Sequence, residues 1–384
     1  MSNRDLLRGR PPGKPAGVRI VDVDIHVNDP PQVLVPYCDL AWRKSLAAAG
    51  EGRQGYVDIP GYAPGGLKSD PRIPGGHKRR SVNTKEEMRE ELDLLGIDEG
   101  VMIPDNLLNF ASLANADYAE AVSHAYNRWL TAEWVDAGNG LYGAVLACPQ
   151  NPEDTVKEIE LYAGTPGIVG VFLPTAGVYP LWGHRKYNPI MQAAEAAGLP
   201  VILHSVGFVG SAFPHNQEQF ENHFGRWVIN HPCGMMANLS SLMHTGVPAR
   251  FPKLKIAFTE AGVAWVPLMM WRMDRAYTEL RKEVPVLKEL PSVYMKQQMY
   301  FGTQPFEEPT VPAHYIELVH HYFGEDNTIF CSDWPHHDFD HPSAVLRMPM
   351  SAEQRSKIMG ENAVRLFNLP ALSRQIPVPE KETA

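Results

Sequence analysis

Eight short apolar segments recur along this chain, and most of them are followed by a segment with helical periodicity. Each has the length of a buried β-strand, and alternation of such strands with helices is typical of a parallel sheet covered by helices. The predicted strands are 21–27, 100–104, 141–147, 168–173, 200–204, 255–259, 299–302 and 328–333. This α/β pattern predicts a (β/α)8 TIM barrel, in which functional groups gather at the carboxyl ends of the strands.

A doubly wound open sheet is the alternative arrangement of the same elements. That fold often carries a glycine-rich loop of the type G-x-G-x-x-G or G-x-x-x-x-G-K-S/T, and the sequence contains neither at the expected place. The barrel is therefore favoured. Of its helices, the one predicted over 217–246 is expected to be broken at Pro232 and Gly234, because proline removes a helical hydrogen bond.

The barrel is predicted to occupy residues 18–369 as a single domain, between a loose arm over 1–17 and a polar tail over 370–384. After the first strand lies a segment, 28–84, that is rich in glycine and proline and poor in periodicity. Connections of this length are uncommon in compact domains, and many are active-site covers. We expect 28–84 to cover the barrel mouth; a surface excursion with a small core of its own is the alternative.

Composition and charge exclude several classes of function. The formal net charge is −9 and no long basic run occurs, so nucleic acid is not an expected partner. No segment approaches the roughly 18 apolar residues that span a bilayer, and no apolar signal segment is visible near the start. The four cysteines are widely spaced, as is usual in a reducing compartment. A cytoplasmic protein with a small-molecule substrate is expected.

Metal-ligand residues stand at the ends of four predicted strands. Asp24 and His26 are two residues apart in the first strand, so their side chains point to the same face. His204 ends the fifth strand, Glu260 follows the sixth, and Asp333 ends the eighth. Strand ends converge on one rim of a closed barrel, and carboxylates buried together repel unless a cation lies among them. The pattern predicts a divalent-metal centre with oxygen and nitrogen ligands.

Each of these residues has a structural alternative when it is considered alone. A histidine at a strand end is more often a satisfied core residue, as His204 could be. Asp333 or Glu260 could cap the helix that follows, and Asp24 could form an ion pair. The coincidence of several such residues on one rim is what favours the metal centre.

Several motifs of the chain resemble, in the same order, those of a known family. They are Asp24-Ile25-His26, residues 199–204, residues 250–256, Glu260-Ala261-Gly262-Val263, residues 332–336 and Glu361-Asn362-Ala363. The chain resembles the amidohydrolase-related family (amidohydrolase 2, or aminocarboxymuconate-semialdehyde decarboxylase-like) of metal-dependent TIM-barrel enzymes. The resemblance implies a homodimer and one divalent ion, most often zinc, with manganese or iron also suited to the donors. The ligands that it implies are Asp24, His26, His204 and Asp333.

Two positions depart from the pattern of that family. The first ligand is Asp24, where many members have histidine or glutamate. At the end of strand six the decarboxylases of the family usually carry a catalytic histidine in a His-x-Gly context, whereas this chain has Glu260.

A metal-bound water beside a carboxylate predicts hydrolysis as the main reaction. Glu260 would take the proton of that water or bridge a second ion, and Asp333 would orient the water. His336 or His337 would polarise the carbonyl or protonate the leaving group. The expected substrate is an amide, ester, thioester or C–C bond of a small aromatic or polycyclic carboxylic acid derivative. Non-oxidative decarboxylation of an aromatic or muconate-type acid, with Asp333 as proton donor, is the alternative.

Further polar residues near the predicted mouth are candidates for substrate binding. Arg226 and His231 follow the fifth strand, and Arg226 is suited to bind an anion. Gln304 lies just past the seventh strand, and His337 follows the eighth. Taken singly, Arg226 and His231 are each more often surface residues than substrate ligands. A barrel that only binds ligands is disfavoured, because buried carboxylates without a function cost stability.

Overall fold

The computed structural model describes residues 17–49, 82–205, 220–221, 223–319, 323–336 and 338–372. Almost all of the predicted arm, residues 50–81 of the predicted cover and residues 373–384 of the predicted tail lie outside this part of the chain.

Eight parallel strands form one sheet in chain order. They are β1 (Val21–Val27), β2 (Glu99–Pro104), β3 (Leu141–Leu146), β4 (Ile168–Pro174), β5 (Val201–His204), β6 (Ile256–Thr259), β7 (Met299–Gly302) and β8 (Thr328–Ile329). The chain just after β8 returns to β1, where Val23 N donates to Phe330 O over 3.2 Å and Ile25 forms a parallel bridge with Trp334. The predicted TIM barrel is confirmed.

The register of the strands brings their carboxyl ends to one rim. Pro174 of β4 pairs with His204 of β5, and His204 pairs with Thr259 of β6. On the neighbouring side, Val27 of β1 pairs with Pro104 of β2. Residues that end or follow these strands therefore surround a common mouth, as expected for this fold.

The eighth strand is shorter than the sequence predicts. The predicted strand ends at Asp333, whereas β8 ends at Ile329. Side chains take the place of a neighbouring strand here, since Cys331 N donates to Thr303 Oγ1 over 3.2 Å and Ser332 N donates to Asp22 Oδ1 over 3.0 Å. The chain stays close to β1 without forming a regular ladder.

Helices surround the barrel and join its strands. They are α1 (Pro31–Leu34), α2 (Arg43–Ala49), α3 (Lys85–Leu95), α4 (Ala116–Trp129), α5 (Pro152–Tyr162), α6 (Asn188–Ala197), α7 (His223–Thr245), α8 (Val247–Arg250), α9 (Trp265–Leu280), α10 (Pro291–Gln298), α11 (Pro312–Leu318), α12 (Pro342–Leu346), α13 (Ala352–Ser356) and α14 (Asn362–Phe367). Wider π-helical turns follow α4 at Leu130–Trp134 and join α13 to α14 at Lys357–Glu361.

Helix α7 runs through Pro232, so the predicted break there is wrong. Proline removes only one backbone donor from a helix. The following turns place Met235, Leu239 and Leu242 in the core with no exposed surface. We attribute the continuity to this packing, which outweighs the loss of one hydrogen bond.

The described part of the predicted cover forms α1 and α2, which pack beside α4. The rings of Trp42 and Tyr118 lie 5.5 Å apart, and Leu34 and Leu46 are buried. These side chains belong to the main hydrophobic core or pack against it. The expectation that 28–84 covers the mouth stays a prediction. Within the described ranges, none of the helices is long and apolar enough to cross a bilayer.

Candidate metal centre at the barrel mouth

Four buried side chains from β1, β5 and the segment after β8 converge at the mouth. Asp24, His26, His204 and Asp333 each offer a ligand atom within 4.8 Å of the others. His26 Nε2 lies 3.4 Å from Asp24 Oδ1 and 3.0 Å from Asp333 Oδ1. His204 Nε2 lies 3.2 Å from the same oxygen of Asp24. The structure thus brings together all four residues that the sequence nominates as ligands.

The polar atoms of this cluster fit a cation. Both carboxylate oxygens of Asp24 and both ring nitrogens of His204 are buried and find no hydrogen-bond partner in the described part of the chain. Buried polar groups are nearly always paired, so such a concentration of unpaired atoms requires an explanation. Carboxylate oxygens and imidazole nitrogens bind manganese, zinc and iron well. These residues could hold one divalent ion.

Hydrogen bonds in the structure orient His26 toward that position. Its Nδ1 lies 2.6 Å from Pro104 O, and a carbonyl oxygen can only accept. Nδ1 therefore carries a hydrogen, and Nε2 faces Asp24 Oδ1 and Asp333 Oδ1. A backbone carbonyl that fixes the tautomer in this way is common behind metal-binding histidines.

Asp22 joins β1 to the segment that carries Asp333. Its Oδ1 accepts from Asp24 N over 3.1 Å and from Ser332 N over 3.0 Å. Burial raises the pKa of Asp22 to about 8. The sequence shows this aspartate beside the predicted ligands but gives no sign of its role in joining the barrel.

Glu260 and Asp333 follow their strands in a left-handed backbone conformation. Their φ angles are 55° and 59°, in a region that residues other than glycine rarely adopt. Such residues cost on the order of 1–3 kcal/mol each and cluster at functional sites. Both residues are buried at the mouth of the barrel, where the chain changes direction after β6 and β8.

Glu260 lies beside the four-residue cluster. Its Oε2 is 3.3 Å from His204 Nδ1, and its Oε1 is 3.6 Å from His231 Nδ1. Burial raises the pKa of Glu260 well above its ordinary value, and the negative charges of Asp333 and Asp338 add to the effect. The predicted substrate-binding residue His231 is thus buried against Glu260.

His336 connects Asp333 to Asp105. Its Nδ1 lies 2.6 Å from Asp333 Oδ1, its Nε2 lies 3.1 Å from Asp105 Oδ1, and its ring stacks on His26 at 4.0 Å. Burial opposes the charged form of His336, but the carboxylates of Asp333 and Asp105 outweigh it and raise its pKa to about 9. Both ring nitrogens are engaged by carboxylates.

Asp105 is not among the site residues predicted from the sequence, although it directly follows a predicted strand. Its turn is held by Asp29, whose Oδ1 accepts from Asp105 N over 3.1 Å and from Asn106 N over 2.6 Å. The signal that marks the other mouth residues, a carboxylate just past a strand end, was present here too.

The other predicted substrate-binding residues have different outcomes. Gln304 Nε2 donates to Asp333 Oδ2 over 3.3 Å and to Asp338 O over 3.4 Å, so it lies at the mouth against Asp333. The backbone of Arg226 belongs to α7, but its side chain lies outside the described structure, as does residue 337.

A barrel with this mouth defines a class of TIM-barrel enzymes that hold a divalent metal. The model of the family described as Amidohydrolase matches residues 98–369. The match covers most of the chain, and the chain belongs to that family.

Curated proteins that are similar in sequence to this chain include decarboxylases. A gamma-resorcylate decarboxylase of Polaromonas sp. (strain JS666 / ATCC BAA-500) is 23% identical over 327 residues, covering 82% of this chain and 94% of the relative.

Solved structures with the same fold include an amidohydrolase from Mycobacterium avium subsp. paratuberculosis K-10, at 19% identity and a TM-score of 0.71 over 92% of this chain and 100% of that one. A 5-carboxyvanillate decarboxylase from Novosphingobium aromaticivorans DSM 12444, complexed with manganese and a nitrobenzoic acid, is 17% identical with a TM-score of 0.66 over 92% of this chain and 97% of that one. At these identities the two structures support the fold.

These relatives correct the expectation of hydrolysis as the main reaction, which is wrong. Curated relatives that match this chain over more than 90% of their own length are named gamma-resorcylate decarboxylases. Hydrolysis was inferred from Glu260 beside a metal centre, but a divalent ion and neighbouring carboxylates serve proton transfer to carbon equally well. The residues alone do not distinguish the two reactions.

Proposed function

We propose that this protein catalyses the metal-dependent, non-oxidative decarboxylation of a hydroxy-substituted aromatic carboxylic acid. The observation that carries the proposal is the cluster of Asp24, His26, His204 and Asp333 at the barrel mouth, in a chain whose curated relatives are decarboxylases of such acids. The manganese complex of the 5-carboxyvanillate decarboxylase favours manganese over zinc as the ion. A homodimer and a cytoplasmic location remain predictions.

The proposed reaction exchanges a carboxylate for a proton on the aromatic ring. The bond between the ring carbon and the carboxylate breaks, its electron pair stays on the ring carbon, and carbon dioxide leaves. The same ring carbon takes up one proton, so neither an oxidant nor a reductant is needed. A divalent ion held by Asp24, His26, His204 and Asp333 would supply electrostatic stabilisation to the oxygens of the bound acid.

Asp333 is the proton donor in this proposal. Hydrogen bonds hold its side chain at the barrel mouth and connect it to solvent. A path runs from Asp333 Oδ1 through the two nitrogens of His336 to Asp105 Oδ1, over 2.6 and 3.1 Å. An imidazole can take a proton on one nitrogen and release one from the other. The Asp105 side chain is 28% exposed, so it can exchange that proton with solvent.

The test is turnover of the manganese-loaded protein in heavy water, with gamma-resorcylate and 5-carboxyvanillate as substrates and benzoate as the control without a hydroxyl group. We expect one carbon dioxide per product and a single deuterium on the carbon that lost the carboxylate. The Asp333→Asn variant should lose turnover by more than the roughly 10–100-fold that loss of an outer metal-site partner costs. Absence of carbon dioxide from every hydroxy-substituted acid would overturn the proposal.

A further inference from the structure

We infer that the barrel mouth binds a second divalent cation through His231, Glu260 and Asp338, next to the four-residue cluster. The inference concerns the ions that the mouth holds, whatever acid the protein acts on.

The three side chains come from separate elements and meet at one point. His231 lies on α7, Glu260 follows β6, and Asp338 lies in the segment after β8. One ligand atom from each lies within 4.8 Å of the other two. His231 and Glu260 are buried while Asp338 is partly exposed, so a cation can enter from the mouth.

The spacing of His231 and Glu260 suits a shared cation better than a hydrogen bond. His231 Nδ1 lies 3.6 Å from Glu260 Oε1, too far for a hydrogen bond. Two ligand atoms that each bind one divalent ion at about 2.1 Å would lie roughly 3.0–3.4 Å apart, slightly closer than this separation. Small shifts on binding would bring both atoms into range.

An independent sign of a missing partner comes from Glu260 itself. Its side chain is 1% exposed, and its Oε2 makes no hydrogen bond to any residue that the structure describes. The residue also keeps a left-handed φ of 55°, which places this carboxylate between His204 and His231 at the cost of backbone strain. A buried, strained carboxylate with one unpaired oxygen is expected where a ligand completes the site.

The negative charges at the barrel mouth also favour a second cation. Asp24, Asp333, Glu260 and Asp338 bring four carboxylates close enough to interact electrostatically. One divalent ion offsets two of these four charges. Among the buried polar residues that the structure describes there is no lysine or arginine, and histidines such as His336 beside Asp333 offset only part of the rest. A second divalent ion would balance them, and a substrate carboxylate could then enter without facing excess negative charge.

The experiment is equilibrium dialysis of the full-length protein against manganese, with bound metal measured by elemental analysis. We expect two equivalents in the wild type, the second bound more weakly. The variants His231→Ala, Glu260→Gln and Asp338→Asn should each hold one equivalent. Glu307→Gln is the matched control, because Glu307 is a nearby carboxylate paired with Val263 N and Ala264 N over 2.9 and 2.8 Å, and it should keep two.

Electron paramagnetic resonance of the loaded wild type should show exchange coupling between two manganese ions, and the three variants should lose it. Saturation of the wild type at one equivalent would overturn the inference, as would two equivalents in both His231→Ala and Asp338→Asn. If Glu260→Gln loses both ions, the test rests on His231→Ala and Asp338→Asn, which should each still hold one equivalent. Loss of both ions from all three would also overturn it, since the sites would then not be separate. These experiments measure bound metal and not turnover. Failure of the second-site inference is therefore distinguishable from failure of the proposed decarboxylase function.

Discussion

The two ends of the barrel treat buried carboxylates in opposite ways. At the amino end, Glu99 is fully buried and accepts hydrogen bonds from Arg19 Nη2 over 2.7 Å and from Tyr142 OH over 2.9 Å. At the carboxyl end, Asp24 is equally buried, yet neither of its oxygens has a hydrogen-bond partner within the described ranges. The protein satisfies Glu99 with its own groups at one end, whereas Asp24 at the other end is suited to bind an ion.

The difference separates stability from function within one fold. Asp98, beside Glu99, is also satisfied by the chain itself, since its Oδ2 accepts from Ile20 N over 2.7 Å. A carboxylate with protein partners stabilises the native state, whereas carboxylates gathered without them destabilise it until a ligand binds. This division agrees with the general rule that TIM barrels place their chemistry at the carboxyl ends of the strands.

The Asp105→Ala variant, at the barrel mouth, is expected to give the largest effect in this comparison of the two barrel ends. This change removes the partner of His336 Nε2, so His336 no longer holds Asp333 from a fixed position. We expect turnover and manganese affinity each to fall about 10–100-fold, with little change in the free energy of unfolding. Steady-state kinetics, metal titration and urea unfolding measure the three quantities.

The Asp105→Asn variant separates the two roles of this residue. Its amide oxygen can still accept from His336, but it cannot carry a proton. Manganese affinity should therefore return close to that of the wild type while kcat stays low. Wild-type kcat and affinity in Asp105→Ala would remove Asp105 from the proposed proton path.

A smaller effect, confined to stability, is expected from Glu99→Gln at the amino end. The amide still accepts hydrogen bonds but loses its charge next to Arg19, whose side chain is 24% exposed and can reach water. We expect the free energy of unfolding to fall by about 1–2 kcal/mol, with turnover and metal content unchanged.

The control for this variant is Glu279→Gln, which alters an ion pair with Arg275 on the surface. Both side chains are mostly exposed, at 55% and 77%, and such pairs contribute about 0–1 kcal/mol. Loss of metal from Glu99→Gln would show that the two ends are not independent.

Much of the fold and the metal cluster could be predicted from sequence because both depend on local pattern. Short apolar strands reveal the barrel, and residues at their ends must lie on its rim. Asp24, His26, His204 and Asp333 were found in this way. The extent of β8 was not, because side chains of Thr303 and Asp22 bind its backbone from distant parts of the sequence.

The remaining errors also concern contacts between distant residues. The link from Asp333 through His336 to Asp105 joins residues more than 200 positions apart. Asp105 follows a strand end, but no local pattern shows that it contacts His336. The reaction was wrongly expected to be hydrolysis because it depends on where a substrate lies relative to Glu260 and Asp333. Residue types alone do not contain that information.

The most direct test of the metal centre is elemental analysis of the purified protein beside its His204→Ala variant. His204 has no exposed surface, and both its ring nitrogens lack hydrogen-bond partners in the described chain, so its loss removes a ligand without breaking a protein contact of that kind. We expect bound manganese, zinc or iron in the wild type and a loss of at least one equivalent in the variant. No bound metal in the wild type, even after reconstitution, or equal metal in both proteins, would contradict the account.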